Sequence, residues 1–335
     1  MGPRGPSLSP PRLPWGVNQD PQEAPMKLIV IIATLGRRAQ VGRLVRYLES
    51  QTRPPDEVII SAPDASHVDT YEGRRFTVTH VFGPIGSTTQ RNTALDMALG
   101  RGDIVSFFDD DFIPADDYLA QVAEAFQTNP NWSVVMGRVV ADGARGTGLD
   151  WEAGLAALRS ATDNPQEPLV VEHVGAYGCN MSVRMSVVGK LRFDERLPLY
   201  GWLEDIDFTS QLRRNGRVVE LRHVLGVHLG VKSGGRVSGK RLGYSQVMNP
   251  IYLVKKGTVP FSFAMNLMIR NVIANLIRSL WPEAHVDRRG RLRGNFMAAS
   301  HAMLGRIEPE YILKIGCSGS VPSAAQREMQ SGKPV

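Results

Sequence analysis

The chain has 335 residues, of which 42% are hydrophobic, and 39 Lys and Arg stand against 33 Asp and Glu for a formal charge of +6. That is enough chain for one large α/β domain with an appendage, and the balance is globular rather than fibrous or disordered. Two cysteines without C-x-x-C spacing exclude a disulfide framework and a zinc module and fit a reducing, cytoplasmic setting, and no run approaches the ~20 apolar residues that span a bilayer.

Residues 1–25 are rich in Pro and Gly, lack the apolar core of a secretory signal, and read as a disordered tail ahead of Met26. Lys27 to Ala33 is a continuous apolar run of buried-strand type, and Val41, Leu44, Val45 and Leu48 then recur at helical spacing. Asp56 to Ser61 and Phe76 to Phe82 repeat the strand signal, and Thr88 to Leu99 reads as a helix. Ile104 to Phe108 is another buried strand, and Ala115 to Gln127 is expected to be a helix with Pro114 at its first position. Trp132 to Val140 is again a strand, followed by a flexible loop over Gly143 to Gly148. Strands alternating with helices predict an α/β fold with a mostly parallel sheet flanked by helices.

The apolar strand 104–108 delivers three carboxylates, Asp109, Asp110 and Asp111, to its carboxyl end, where open α/β sheets bind ligands. Like charges side by side raise one another's pKa and cost stability unless a cation is shared, which points to a divalent metal; an Asp-rich turn is the alternative. A second acidic cluster, Glu204-Asp205-Ile206-Asp207, opens a short segment that stops near Gly216.

Beyond Val231 a basic, glycine-rich connector runs from Ser233 to Arg241, after which strand signals fade and helical ones take over. The expected division is therefore a tail (1–25), a catalytic domain (26–230), and a basic lid loop with a C-terminal helical region (231–335). The spacing Gly234 to Lys240 imitates a phosphate loop, but Arg241 replaces the Ser or Thr that would hold magnesium. A mobile lid over a bound diphosphate is the better use of these residues. From Gln211 to Lys256 ten Lys or Arg face one acid, Glu220, which favours a local anion site or a membrane face. Residues 261–281 form an amphipathic pattern that reads first as a helix packed on the domain and, in view of Arg288, Arg289, Arg291 and Arg293, second as an interfacial membrane helix. The basic region lacks aromatics spaced for base stacking, which argues against a nucleic-acid partner.

Several blocks in order resemble family 2 glycosyltransferases over most of Met26 to about Lys256. Ile31 to Arg37 is similar to the block where the first strand meets the nucleotide base, which makes Thr34 a donor-binding candidate; Ala33 and Leu35 replace a common proline and aromatic. Gln51 to Ile60 matches the link into the second strand. The paired aspartates usual after it are absent, and Asp64 is left as either a base contact or a turn aspartate. Gly86 to Ala94 resembles the family's Arg-Asn helix start, and a helix N-terminus with a guanidinium suits a diphosphate, so Arg91 is either that contact or an exposed helix arginine.

The resemblance implies a GT-A-type, Rossmann-like sheet with a C-terminal helical extension and an inverting, nucleotide-diphosphate-sugar-dependent transferase. It places the D-x-D pair on Asp109 and Asp111 as metal ligands, with Asp109 also on the nucleotide side and Asp110 at the ribose. Magnesium or manganese would be the cofactor, and His228, ending the run Val224 to Val227, is a third ligand or a structural histidine. Cys179 to Arg184 and Phe193 to Leu197 resemble the acceptor-side block leading to the Glu-Asp motif, in which Asp205 aligns with the general base and Glu204 with its neighbour. Asp207 reads as a helix-start residue, and Trp202 either stacks on an acceptor sugar or packs in the core.

The expected partners are a nucleotide-diphosphate sugar and a saccharide or lipid-linked saccharide acceptor, in bacterial cell-surface polysaccharide or glycolipid synthesis at the inner face of the membrane. No Q-x-x-R-W block is present, which favours single additions over processive synthesis. The rival readings are a sugar-nucleotide nucleotidyltransferase, whose glycine-rich loop after the first strand is missing, and a non-catalytic nucleic-acid- or membrane-binding scaffold.

Overall fold

Leu28–Ala33 (β1) is covered on both faces: Leu28, Val30 and Ile32 enter one apolar cluster, and Ile29 and Ile31 enter another. A strand buried on both sides has no position for a polar residue, which is why the sequence runs apolar there without alternation. In this computed structural model the described residues are 25–161, 168–231, 239–281, 283 and 286–316. The expected tail, apart from Pro25, and Ser233–Ser238 of the expected lid lie outside them.

The remaining strands are Glu57–Ala62 (β2), Thr77–Phe82 (β3), Ile104–Asp109 (β4), Phe112–Pro114 (β5), Trp132–Asp142 (β6), Val170–Glu172 (β7), Met181–Arg184 (β8) and Arg217–His228 (β9). The helices are Arg38–Tyr47 (α1), Ser87–Ala98 (α2), Tyr118–Thr128 (α3), Trp151–Ser160 (α4), Met185–Val188 (α5), Glu204–Leu212 (α6), Gly239–Lys256 (α7), Phe261–Leu280 (α8) and Arg288–Met303 (α9). The sheet order is β3-β2-β1-β4-β8-β6-β9-β5, with β7 paired to β9. The first four strands are mutually parallel, β6 and β9 are parallel, and β8, β5 and β7 pair antiparallel. The helices α1 and α3 cover one face and α2 and α6 the other. The expected α/β architecture with its helical extension is the one observed.

Pro114 does not open a helix. It closes β5, whose Phe112 and Ile113 pair with His228 and Val227, and the helix begins three residues after Ala115, at Tyr118. The short strand folds back against the end of β9 and so carries the Asp110-Asp111 turn next to His228.

After the described chain resumes at Gly239, α7, α8 and α9 form a helical unit with its own small core of Tyr244, Val247, Met248 and Ala298. A further cluster, Leu197, Tyr252, Leu253, Val259 and Ala264, joins that unit to the sheet domain. Asp207, read as a helix-start residue, does lie in the first turn of α6, but it is fully buried and bonds Lys256 Nζ at 2.6 Å and Thr258 Oγ1 at 2.7 Å. It ties the end of α7 to α6. Among the described residues no helix is long and apolar enough to cross a membrane.

Candidate active site

Parallel register sets the site. Ala33 at the end of β1 pairs with Asp109 at the end of β4, and β9 ends near Asp109 at His228, which pairs with Asp142 of β6 and Phe112 of β5. Asp109, Asp111 and His228 therefore converge, with ligand atoms all within 4.8 Å of one another. His228 Nε2 lies 3.4 Å from Asp111 Oδ1 and 3.8 Å from Asp109 Oδ2. Its Nδ1 is 2.9 Å from Asp142 Oδ1 and 3.1 Å from the Tyr177 hydroxyl. A histidine held at one ring nitrogen by a carboxylate presents the other outward, the usual support of a metal-ligating imidazole. Burial works against a charge on His228, but the carboxylates of Asp111, Asp142 and Asp109 outweigh it and lift the pKa to about 10. A site that attracts a proton this strongly is one where a divalent cation would take the proton's place.

Asp110 turns the other way. Thr34 Oγ1 donates to its Oδ2 at 2.7 Å, and Arg37 Nη1 sits 2.7 Å from its Oδ1 and 3.3 Å from Asp111 Oδ2. Arg37 Nη2 also donates to the Val231 carbonyl at 2.8 Å, fastening the segment just past His228 onto the aspartates. A cavity of about 710 Å³ opens beside Asp110, bordered by Arg38, Arg43, Trp151, Leu229 and Val231. Asp64 is exposed at the end of β2 and caps a turn, accepting from Ser66 N at 2.8 Å and from the Ser66 hydroxyl. The structure does not bond it to the other candidates.

Arg91 is the joint between the two acidic clusters. It is buried in α2, with Nη2 2.8 Å from Asp109 Oδ1 and 3.0 Å from the Gly178 carbonyl, and Nη1 3.0 Å from Glu204 Oε1. Burial opposes its charge, yet Asp109, Glu204 and Asp205 outweigh that and raise its pKa. Glu204 also accepts from the Ser87 hydroxyl at 3.0 Å, and Asp205 accepts from Gly178 N at 2.7 Å and Ile206 N at 2.8 Å. Desolvation raises both carboxyls, Glu204 to about 7 with Asp205 adding to the effect. The residue before this pair, Leu203, takes left-handed backbone at φ 78°, a conformation that costs a non-glycine residue about 1 kcal/mol. Trp202 is half-buried, and its carbonyl accepts from Asn249 at 2.8 Å.

Sequence reasoning passed over Arg37, Asp142 and Tyr177. Arg37 stands in the block quoted for the end of β1, but Asp142 reaches the site through the pairing of β6 with β9, and Tyr177, on the segment between β7 and β8, through its hydroxyl at His228, neither of which a local pattern announces.

Residues 29–177 match the family model for glycosyl transferase family 2. The chain carries a family 2 glycosyltransferase domain. No curated protein matches the chain in sequence. Among solved structures, residues 1–349 of S. aureus TarS align over 85% of this chain and 89% of that one at 14% identity and a TM-score of 0.50, a likeness of fold. The mannosyltransferase PcManGT from Pyrobaculum calidifontis, in complex with GDP-Man and Mn2+, aligns over 94% and 82% at 17% identity, with a TM-score of 0.49. A longer TarS structure aligns over 68% of this chain but 39% of its own, at 16% identity and a TM-score of 0.45, so this chain spans well under half of that protein. The family 2 glycosyltransferase domain, a domain of sugar-transferring enzymes, thus covers β1 through Tyr177. It contains Asp109, Asp111 and Arg91, while Glu204, Asp205 and His228 come from the chain that follows.

Proposed function

We propose that this chain is an inverting, metal-dependent glycosyltransferase that moves one sugar from a nucleotide-diphosphate sugar to an acceptor hydroxyl. The observation that carries the reading is the single guanidinium of Arg91 shared between Asp109 and Glu204. It sets a phosphate-and-metal pole and a carboxylate pole on two sides of one buried cation, as a displacement between a diphosphate and a hydroxyl requires.

Asp109, Asp111 and His228 would hold the metal, and two oxygen donors with one imidazole suit Mn2+ better than Mg2+. A divalent ion there would neutralise charge on the departing diphosphate. Arg91 adds a fixed positive charge to the same leaving group. Asp110 borders the cavity, where the nucleoside would lie, with Thr34 bonded to it as a donor-side candidate, and Asp64 is a further candidate contact to the base. Asp205 takes the acceptor proton as the acceptor oxygen bonds to the anomeric carbon and the bond from that carbon to the diphosphate oxygen breaks. One displacement inverts the anomeric centre. Burial helps here: a desolvated carboxylate is a stronger base than one in water. Glu204 keeps Arg91 in place beside it, and Trp202 offers a ring to the acceptor sugar. The acceptor we assign is a saccharide or lipid-linked saccharide of cell-surface polysaccharide or glycolipid synthesis.

The test is turnover of a panel of UDP-, GDP- and dTDP-sugars with Mn2+ or Mg2+, comparing the native chain with Asp111→Asn and Asp205→Asn. Metal-dependent release of one nucleotide diphosphate, lost in Asp111→Asn, is expected, with an inverted anomeric proton coupling in the NMR spectrum of the product. Nucleotide triphosphate consumption with pyrophosphate release would establish nucleotidyl transfer instead. Failure of the whole panel to bind in calorimetry would leave the scaffold reading.

A further inference from the structure

The helix α8 faces the wrong way for a protein in water. Its buried positions are Ala264, Asn275 and Ser279. Ile269, Ile273, Leu276, Ile277 and Leu280 are 46–68% exposed and, at 100° per residue, lie within an arc of about 100° turned away from those three.

The interior that α8 shares with α7 and α9 joins the small apolar core around Tyr244 and Met248, against which Met268 and Val272 of α8 pack, to a buried amide network. Asn275 Nδ2 donates to Gln246 Oε1 at 2.8 Å and to Asn295 Oδ1 at 2.9 Å, and Asn295 Nδ2 donates to the Gly243 carbonyl at 2.7 Å. The backbones of α7 and α9 meet so closely that a Cβ on Gly243 would lie 1.9 Å from the Arg291 carbonyl oxygen, and one on Gly294 2.1 Å from that of Lys240. Small residues at helix contacts, amides bonded across them and aliphatic side chains outside are how helices pack when the surroundings are hydrocarbon.

The exposed surface continues on α9, where Arg289, Arg293, Phe296, Met303 and Leu304 are exposed at helical spacing along one face. Ten of the seventeen large hydrophobic residues exposed among the described residues fall between Phe261 and Leu304, far too many for scattered surface apolars. The same stretch has six arginines and two acids. Both acids are engaged: Glu283 pairs with Arg278 at 2.8 Å and Arg288 at 2.7 Å, and Asp287 caps α9 through Gly290 N. Arg270, Arg289 and Arg293 have no ion pair among the described residues. A second copy docked symmetrically on this face would bring unpaired guanidinium groups together with no acids to meet them. Lipid phosphates meet them.

We propose that the α8–α9 face docks on an anionic lipid bilayer. The aliphatic stripe enters the boundary between headgroups and acyl chains, Trp281, 73% exposed at the end of α8, sits at that level, and the arginines engage lipid phosphates. No helix among the described residues is long and apolar enough to cross the bilayer, so the contact is in-plane and reversible. This docking is independent of the transfer reaction and is read without it.

The experiment is co-sedimentation of the full chain with vesicles of pure phosphatidylcholine and of phosphatidylcholine mixed with phosphatidylglycerol. The native chain is expected to sediment with the mixed vesicles and far less with the neutral ones. Because the altered side chains are exposed, Ile273→Glu/Leu276→Glu should stay folded and lose binding on the order of tenfold or more. Arg289→Ala/Arg293→Ala should lose about fivefold per arginine and show a flatter salt dependence. If the glutamate variant does not fold, quenching of native-chain fluorescence by brominated lipid, absent in Trp281→Phe, decides the matter. No sedimentation with either vesicle, or equal sedimentation of native and glutamate forms, overturns the proposal. A dimer in ultracentrifugation that Ile273→Glu dissociates, without vesicle binding, assigns the face to a second copy and also overturns it.

Discussion

Asp142 does not need to touch a metal to matter for one. Its carboxylate fixes the His228 ring through Nδ1 at 2.9 Å, with the Tyr177 hydroxyl beside it, and without that anchor Nε2 would have no reason to stay aimed at Asp109 and Asp111. We expect Asp142→Ala to weaken Mn2+ binding by about 10–100-fold while leaving metal-free nucleotide affinity unchanged, both by calorimetry. A second prediction concerns protons. Burial, and then the Asp205 charge, put the Glu204 carboxyl at about 7, and Asp205 is raised as well. A base must be ionised to act, so kcat/KM should fall with falling pH from a point above the usual carboxylate range, and Glu204→Gln should move that limb to lower pH by removing a neighbouring charge. Stability runs the opposite way. A carboxyl raised from 4.5 to about 7 by folding contributes fully below 4.5 and loses that contribution as pH rises through about 7. The Tm of Glu204→Gln relative to native should therefore be more favourable at pH 8 than at pH 5; equal offsets at both would refute the assignment.

The start of α6 is where local geometry and chemistry meet most tightly among the elements. Leu203 in left-handed backbone turns the chain so that Glu204 and Asp205 face Arg91 and Gly178, and there is no room for a side chain on the glycine. A Cβ at Gly178 would lie 2.9 Å from Asp205 Oδ2 and 3.3 Å from Arg91 Nη1. Gly178→Ala is expected to lower kcat on the order of 10²-fold, since shifts of about 1 Å in a reacting group cost that much, with only a small change in Tm; steady-state kinetics and a thermal melt check it. The buried strands β1, β2 and β4 and the helix carrying Arg91 were legible in the sequence because a sheet covered on both faces writes itself as apolar runs. Asp109, Asp111 and His228 could be picked out from their position after such runs. Pro114 misled because a proline that often opens a helix equally well ends an edge strand, and its choice was made by pairing with Gly226, 112 residues on. Asp142 and Tyr177 were invisible for the same reason: their roles depend on contacts far apart in sequence.

At the scale of the whole molecule, the composition break at Val231 invites a division into two units, and the packing argues for one. Lys256 at the end of α7 bonds Asp207 of α6 at 2.6 Å and Asp194 at 2.6 Å, and the cluster of Leu197, Leu253 and Val259 closes the same seam. The helical unit by itself has a modest apolar core and a polar interior, so much of its stability must come from this contact with the sheet domain. We therefore expect one calorimetric transition for the full chain, with calorimetric and van't Hoff enthalpies in agreement. Asp207→Asn leaves the amide able to bond Thr258 but removes the charge facing Lys256, which keeps Asp194 and some solvent. The cost should accordingly be about 1–3 kcal/mol rather than that of a fully stranded buried charge. Because the loss falls on the seam and not inside either unit, it should broaden or split the transition, with the helical unit melting first. Two transitions already present in the native chain would show that the units melt independently, and a sharp single shift in Asp207→Asn would show that they are coupled elsewhere.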